Sequence, residues 1–243
     1  MTSSLSPLII ARDRLSPETR ESMFTLHARH FAHVERARFM TDLDDKQWVI
    51  LLRKPDGGLA GFSTQTLMAP ADETGPTRFL FSGDTIIAPE HWNTPYLAGC
   101  FGHLMLRLID QHRHTPIYWF LISKGFRTYR FLPVFFIRFW PAPDRVMPPD
   151  MRALLSCAAR LRFGTAFDAK NGIIRMRDGD RLIPELAQVP PSRLRDPAVA
   201  FFLRSNPGYV HGDELACLAP VTRDNLNAYA DRVIRATTPE WQC

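Results

Sequence analysis

Lysine is scarce in this chain of 243 residues: of 30 basic side chains only Lys46, Lys54, Lys124 and Lys170 are lysine, so 26 are arginine. Cysteine is sparse in pattern. Cys100, Cys157, Cys217 and Cys243 stand far apart with no Cys-x-x-Cys pair, which argues against a disulfide framework or a zinc knuckle. No apolar run reaches the roughly 18 residues of a membrane-spanning helix. The opening MTSSLSPLIIARDR lacks the basic start and long apolar core of a secretory signal, so a cytoplasmic protein is expected. Also missing are a GxSxG elbow, a Walker loop and a GxGxxG fingerprint. His27, His30 and His33 are spread over about 240° of one helix, which prevents convergence on one ion, and no metal is expected. Nothing resembles a nucleic-acid-binding motif.

What is present is ordinary in bulk. Hydrophobic residues make up 45%, charged 23% and aromatic 11%, a globular composition. The length fits one domain with an elaboration. The net charge of +5 is unevenly distributed. Residues 1–119 carry 12 basic and 13 acidic side chains and residues 182–243 carry 6 and 7, whereas residues 120–181 carry 12 against 5. An anionic partner is expected to meet that middle stretch.

Periodicity gives an order of elements. LIIARD at 8–13 reads as a strand, and Ser16-Pro17-Glu18 reads as an N-cap with proline at the first helical position. Met23, Phe24, Leu26, His27 and Phe31 form a helical stripe, and a second helix carries Val34, Ala37, Phe39 and Leu43. WVILLRK (48–54), a Pro-Asp-Gly-Gly turn and LAGFSTQTLMA (59–69) predict a hairpin, and TRFLFSGDTIIA (77–88) predicts a third strand with a bulge at Gly83. A helix at 99–114, the buried strand IYWFLIS at 117–123 and a helix running to Pro141 follow. Beyond them come a helix at 150–162, a strand at 172–177, a helix at 196–205, a strand at 214–221 and a final helix at 222–236. The order specifies an α/β class with a mixed, mostly antiparallel sheet flanked by helices. Residues 1–140 form the core. Residues 141–243 form a largely helical extension that adds one or two strands to the same sheet.

Three motifs carry a family likeness: a strand ending at Ile86-Ile87-Ala88, the loop and helix start NTPYLAGCFG at 93–102, and ISKGFRTY at 122–129. Over residues 8–140 the chain resembles the acyl-CoA N-acyltransferases of GNAT type. The resemblance implies acyl transfer from a phosphopantetheine thioester, acyl-CoA or an acyl carrier protein, to the amine of a small molecule or amino acid. In such enzymes the loop before the central helix reads Arg/Gln-x-x-Gly-x-Gly/Ala and holds pyrophosphate on helix-terminal amides; here Gly99 and Gly102 remain. A carrier protein, lacking the adenosine diphosphate moiety, needs less from that loop. The pantetheine arm is expected along Thr85, Ile86, Ile87 and Ala88, and its phosphate at Ala98, Gly99 and Cys100, with Lys124 and Arg127 nearby.

For the chemistry, Tyr129 is the candidate acid for the leaving sulfur, Asp84 and Glu90 are candidate bases, and Ser123 is a candidate positioning hydrogen bonder. Each has a plainer alternative: Tyr129 as core, Asp84 as a bulge residue, Glu90 as a helix-cap carboxylate. The aromatic and basic segment at 124–140 could line an acyl pocket, dock an acidic carrier, or lie at a membrane surface as a peripheral contact. A non-catalytic lipid- or partner-binding module of the same fold is the competing function.

Overall fold

The Ser16 side chain accepts the Thr19 N–H at 3.2 Å and starts the first helix where the sequence expects it. From there the computed structural model describes residues 5–70, 76–92, 94–176 and 179–243. In chain order the elements are β1 (Ser6–Ala11), α1 (Pro17–Ala28), β2 (Phe31–Ala32), α2 (Arg36–Asp44), β3 (Trp48–Arg53), β4 (Leu59–Met68) and β5 (Arg78–Ile87). Next come α3 (Tyr96–Gln111), β6 (Ile117–Ser123), α4 (Phe126–Tyr129), α5 (Phe131–Phe135), α6 (Pro149–Phe163), β7 (Phe167–Asp168) and β8 (Ile173–Ile174). The chain ends with β9 (Arg181–Leu182), α7 (Pro184–Ala187), α8 (Pro197–Ser205), β10 (Glu214–Pro220), α9 (Ala228–Arg235) and β11 (Glu240–Gln242). Asn93, Gly75 and Arg177, which enter the expected loops and strand, lie outside the described residues.

One sheet runs in the order β11-β1-β3-β4-β5-β6-β10-β8-β7. Its pairs are antiparallel except β1 with β11 and β5 with β6. The parallel β5–β6 pair follows from the α3 crossover. This junction positions the site. Pairing runs from Arg78 opposite Ile117 to Ser82 opposite Leu121 and then stops, although β5 continues to Ile87 hydrogen-bonded to β4. Between Ser82 and Thr85 the β4–β5 register slips, so Gly83 and Asp84 face a single partner, Thr64. The bulge twists β5 away from β6 and opens a cleft in the middle of the sheet.

Alternation along β6 divides the core by face. Ile117, Trp119 and Leu121 join Leu104, Leu108, Val199, Phe202 and Ile234 under α3, α8 and α9. Phe120 joins Phe79, Phe81, Leu155 and Ala159 under α6. Over β1, β3 and β4 the same face is covered by Met23 and Leu26 of α1 with Phe39 and Leu43 of α2. Burying side chains of this size contributes about 1.5–3 kcal/mol each.

Two expectations need correction. The aromatic stretch up to Pro141 is not one helix: Pro133 limits it to the short α4 and α5, and Phe136 is already extended. It then runs beside the last part of the chain, bridging Phe136 to Leu226 and Trp140 to Leu218. Six of the twelve cations of residues 120–181 are paired with carboxylates by folding. Lys124 pairs with Asp180 and Glu214, Arg130 with Asp196, Arg138 with Asp224, Arg145 with Asp144, Arg162 with Asp42 and Asp45, and Arg175 with Asp168 and Asp213.

Candidate active site

The cleft between β5 and β6 carries different chemistry on its two faces. On the α3 face lies an apolar cavity of about 30 Å³, room for roughly one water molecule. Its few polar groups come from Ser63, Ser82, Thr85 and Thr128. They are connected: Gln65 Nε2 donates to Ser63 Oγ at 2.7 Å, Ser63 and Thr85 share a 2.7 Å hydroxyl contact, and Trp119 Nε1 donates to Ser82 Oγ at 2.9 Å. The Trp119 bond spans the two strands at the last rung before they part. Phe101 and Phe136 flank its ring at 4.9 and 5.2 Å.

On the opposite face five ionisable side chains meet. His27 of α1 places Nε2 at 3.4 Å from Asp84 Oδ1 and 3.2 Å from Asp180 Oδ2. Lys124, just past β6, donates to Asp180 Oδ1 at 2.7 Å and to the Asp180 carbonyl at 3.0 Å, and lies 3.5 Å from Glu214 Oε1. Its ammonium also sits 5.1 Å from the centre of the Phe31 ring. The strap carrying Asp180 is fixed by β9, which pairs with β2, and by Ile183 N–H donating to the His30 carbonyl.

Electrostatics couple these groups. Burial alone pushes the His27 imidazole down, but hydrogen bonds and charges from Asp180 and Asp84 outweigh it and raise its pKa from 6.5 to about 9. Burial lifts the Glu214 carboxyl to about 7, although Lys124 pulls the other way. Asp180 is held well below the usual carboxylate range: its own burial opposes this, but His27 and Lys124 prevail. Lys124 is raised because Glu214 and Asp180 overcome its desolvation. At neutral pH the cluster therefore holds an imidazolium and an ammonium among three carboxyl groups.

The candidates from sequence are scattered. Asp84 is in the cluster, as is Lys124, but Lys124 is committed to carboxylates and offers no charge to a phosphate. Glu90 is exposed on a single turn and lies outside the cluster. Ser123 is fully buried with its Oγ unpartnered. Tyr129 faces away from the cleft. Its hydroxyl donates to the Pro141 carbonyl at 2.9 Å, its ring packs on Phe201, Phe202 and Phe139, and burial drives its pKa up, so the core alternative describes it. The residue of α4 that lines the cavity is Thr128.

The expected phosphate loop also differs. Gly99 and Cys100 lie within α3 and are buried. A Cβ on Gly99 would meet Thr237 Oγ1 at 2.0 Å and one on Gly102 would meet Ile234 Cγ1 at 2.3 Å, so both glycines let α3 approach the last helix. Burial pushes the Cys100 thiol up to about 12, leaving it inert. Ala98 does line the cavity. Thr85 through Ile87 stay paired to β4, Ile86 and Ala88 are buried in the α1 core, and the Ile87 carbonyl accepts Trp92 Nε1 at 2.8 Å. Arg127 lies 4.4 Å over the Trp92 ring and donates to the Leu186 carbonyl.

His27, Asp180, Glu214 and Thr128, which line the candidate site, were not among the candidates from sequence. His27 fitted an apolar stripe, and nothing local ties it to carboxylates from β5 and from the strap. No cluster of metal-binding side chains occurs among the described residues, and none of their helices is long and apolar enough to cross a membrane.

No family model and no curated protein matches the chain. Solved structures with a similar fold include a GNAT-family N-acetyltransferase (YhbS) from Escherichia coli in complex with CoA, 12% identical over 51% of this chain and 66% of that one, TM-score 0.34. Others are Tetrahymena GCN5 (9% identity, 61% and 84% covered, TM-score 0.41) and Arabidopsis thaliana NAA60 in complex with acetyl-CoA (12%, 56% and 87%, TM-score 0.39). A probable N-acyltransferase from Enterococcus faecalis V583 is 15% identical with TM-score 0.42, and this chain spans 33% of its length. These are likenesses of fold at low identity, and no residue role is taken from them.

Proposed function

We propose that the protein is an N-acyltransferase that moves an acyl group from a pantetheine thioester to a small-molecule amine. The observation that carries this is the cleft at the β5 bulge, with neutral hydroxyls on one face and a carboxylate-imidazole cluster on the other. An extended pantetheine arm can bond the edge of β5 that β6 leaves free beyond Ser82, as a strand would. The acceptor then approaches from the α1 face, where Asp84 and Asp180 favour a cationic amine and Asp84 accepts its proton, with His27 holding that carboxylate in position. The neutral amine attacks the thioester, and as the tetrahedral intermediate collapses its second N–H proton passes to the departing thiolate, which a hydrogen bond steadies. Thr128 supplies that bond in this scheme. Phe131, Phe135 and Phe136 must move to admit the arm, since the cavity is about 30 Å³ at present.

The same small volume, with Gly99 and Gly102 used for packing, favours the second reading, a binding module of this fold without catalysis. The donor separates the two: acyl-CoA or an acyl carrier protein, the latter suited to a helix start without a phosphate-holding glycine loop. Thiol release from acetyl-CoA and from an acyl carrier protein is followed against a panel of small amines. Turnover that Asp84→Asn lowers at least tenfold, with the donor KM unchanged, is expected. Saturable binding of neither donor refutes the enzyme.

A further inference from the structure

A second cavity, of about 250 Å³, differs from the thioester cleft in character and lies at the outer edge of β10. β8 pairs with that edge only at Glu214 and Leu215, and Trp140 bridges it again at Leu218. The gap between opens on Ala216, with the Gly172 turn on one side and Pro141-Ala142 on the other. Its floor is apolar: Leu155, Phe167, Phe201 and Leu215. Its rim is basic. Of the three cations there, Arg145 is held by both oxygens of Asp144, whereas Arg152 and Lys170 have no carboxylate partner among the described residues. Among those residues, no acidic side chain lines the cavity. The nearby Asp168 is engaged by Arg175 and Asn171.

We propose that this cavity binds a small amphipathic monoanion, a carboxylate on an apolar body. An apolar cavity of about 150 Å³ accepts a benzene ring, so this one has room for a body of roughly ten non-hydrogen atoms. Two unpaired cations over a greasy floor discriminate for that chemistry: a neutral alcohol gains only the burial, and a bare inorganic anion gains only the charge. Folding pairs six of the twelve cations of residues 120–181 with carboxylates, and two without such a partner among the described residues stand on the rim of this one cavity. The site is independent of the acyltransferase reading, since Asp84, Thr128 and the cleft take no part in it.

The test is calorimetry of the full chain with octanoate, 1-octanol and inorganic phosphate. Octanoate binding one to one, with octanol at least about tenfold weaker and phosphate undetectable, is expected. Arg152→Ala with Lys170→Ala should weaken octanoate at least about tenfold, and both residues are exposed, so the variant folds. Ser156→Trp, which fills the cavity from α6, should abolish binding while leaving the melting temperature within a few degrees. Equal affinity for octanol and octanoate, equal affinity for phosphate and octanoate, no octanoate binding, or an unchanged affinity in the double variant each overturns the proposal.

Discussion

His27 gives the sharpest physical test of the buried cluster. Its folded pKa is raised from 6.5 to about 9, so between those values the native state holds one more proton than the unfolded chain. Stability from this group is fully present below pH 6.5, falls as the pH rises, and is gone above about 9. A tenfold difference in proton affinity between the folded and unfolded chain is worth about 1.4 kcal/mol, which makes the fall about 3 kcal/mol across the window. For a chain of this size that is roughly 6–12 °C of melting temperature. The fall belongs to His27 with its partners Asp84 and Asp180, and to Lys124 and Glu214 beyond them. Glu214 releases its proton around 7, so the upper half of the window is the clean one. Urea unfolding at several pH values, for wild type and His27→Gln, reads it out. Wild type should lose stability steadily with rising pH, and His27→Gln, which keeps a hydrogen-bond donor without a titrating charge, should be nearly flat above pH 7. A flat wild-type profile, or an equal slope in the variant, refutes an imidazolium held by two carboxylates.

Three other perturbations separate packing from function. Gly99→Ala gains up to about 1 kcal/mol of helix propensity, but its Cβ would sit 2.5 Å from Thr237 Cβ, so a net loss of about 1–3 kcal/mol in thermal or urea unfolding is expected, with the donor KM unchanged; a raised KM without a stability change would restore Gly99 to a phosphate site. Tyr129→Phe strands the Pro141 carbonyl and should cost about 1–3 kcal/mol while leaving kcat intact, measured by urea unfolding beside turnover. Lys124→Met leaves Glu214 buried without its cation, and Asp180 with His27 alone, and should cost about 3–5 kcal/mol, partly recovered as the pH is lowered and Glu214 takes up a proton. Retained stability at neutral pH in that variant would mean that the carboxylates find another partner.

The parts of the fold that were legible in sequence are those encoded by local period and turn chemistry. β6 spans residues 117–123 as expected because IYWFLIS is apolar on both faces, and the Gly83 bulge is where glycine interrupts a β-branched strand. The buried cluster was legible only where one of its residues sat on such a landmark, as Asp84 does. His27, Asp180 and Glu214 come from a helix, a strap and a strand separated by most of the chain, and no period links them. Tyr129 lies away from the cleft for a related reason. In a four-residue helix, adjacent residues point in different directions, so a break set by Pro133 and a bond to Pro141 decide whether Thr128 or Tyr129 faces the cleft. The charge asymmetry misled in the same way: a sum along the chain counts cations that folding pairs with acids far away, and only the unpaired remainder, Arg152 and Lys170 among them, is left to meet a ligand. A local surplus of charge therefore points to a binding site only after its long-range partners have been subtracted, which requires the fold.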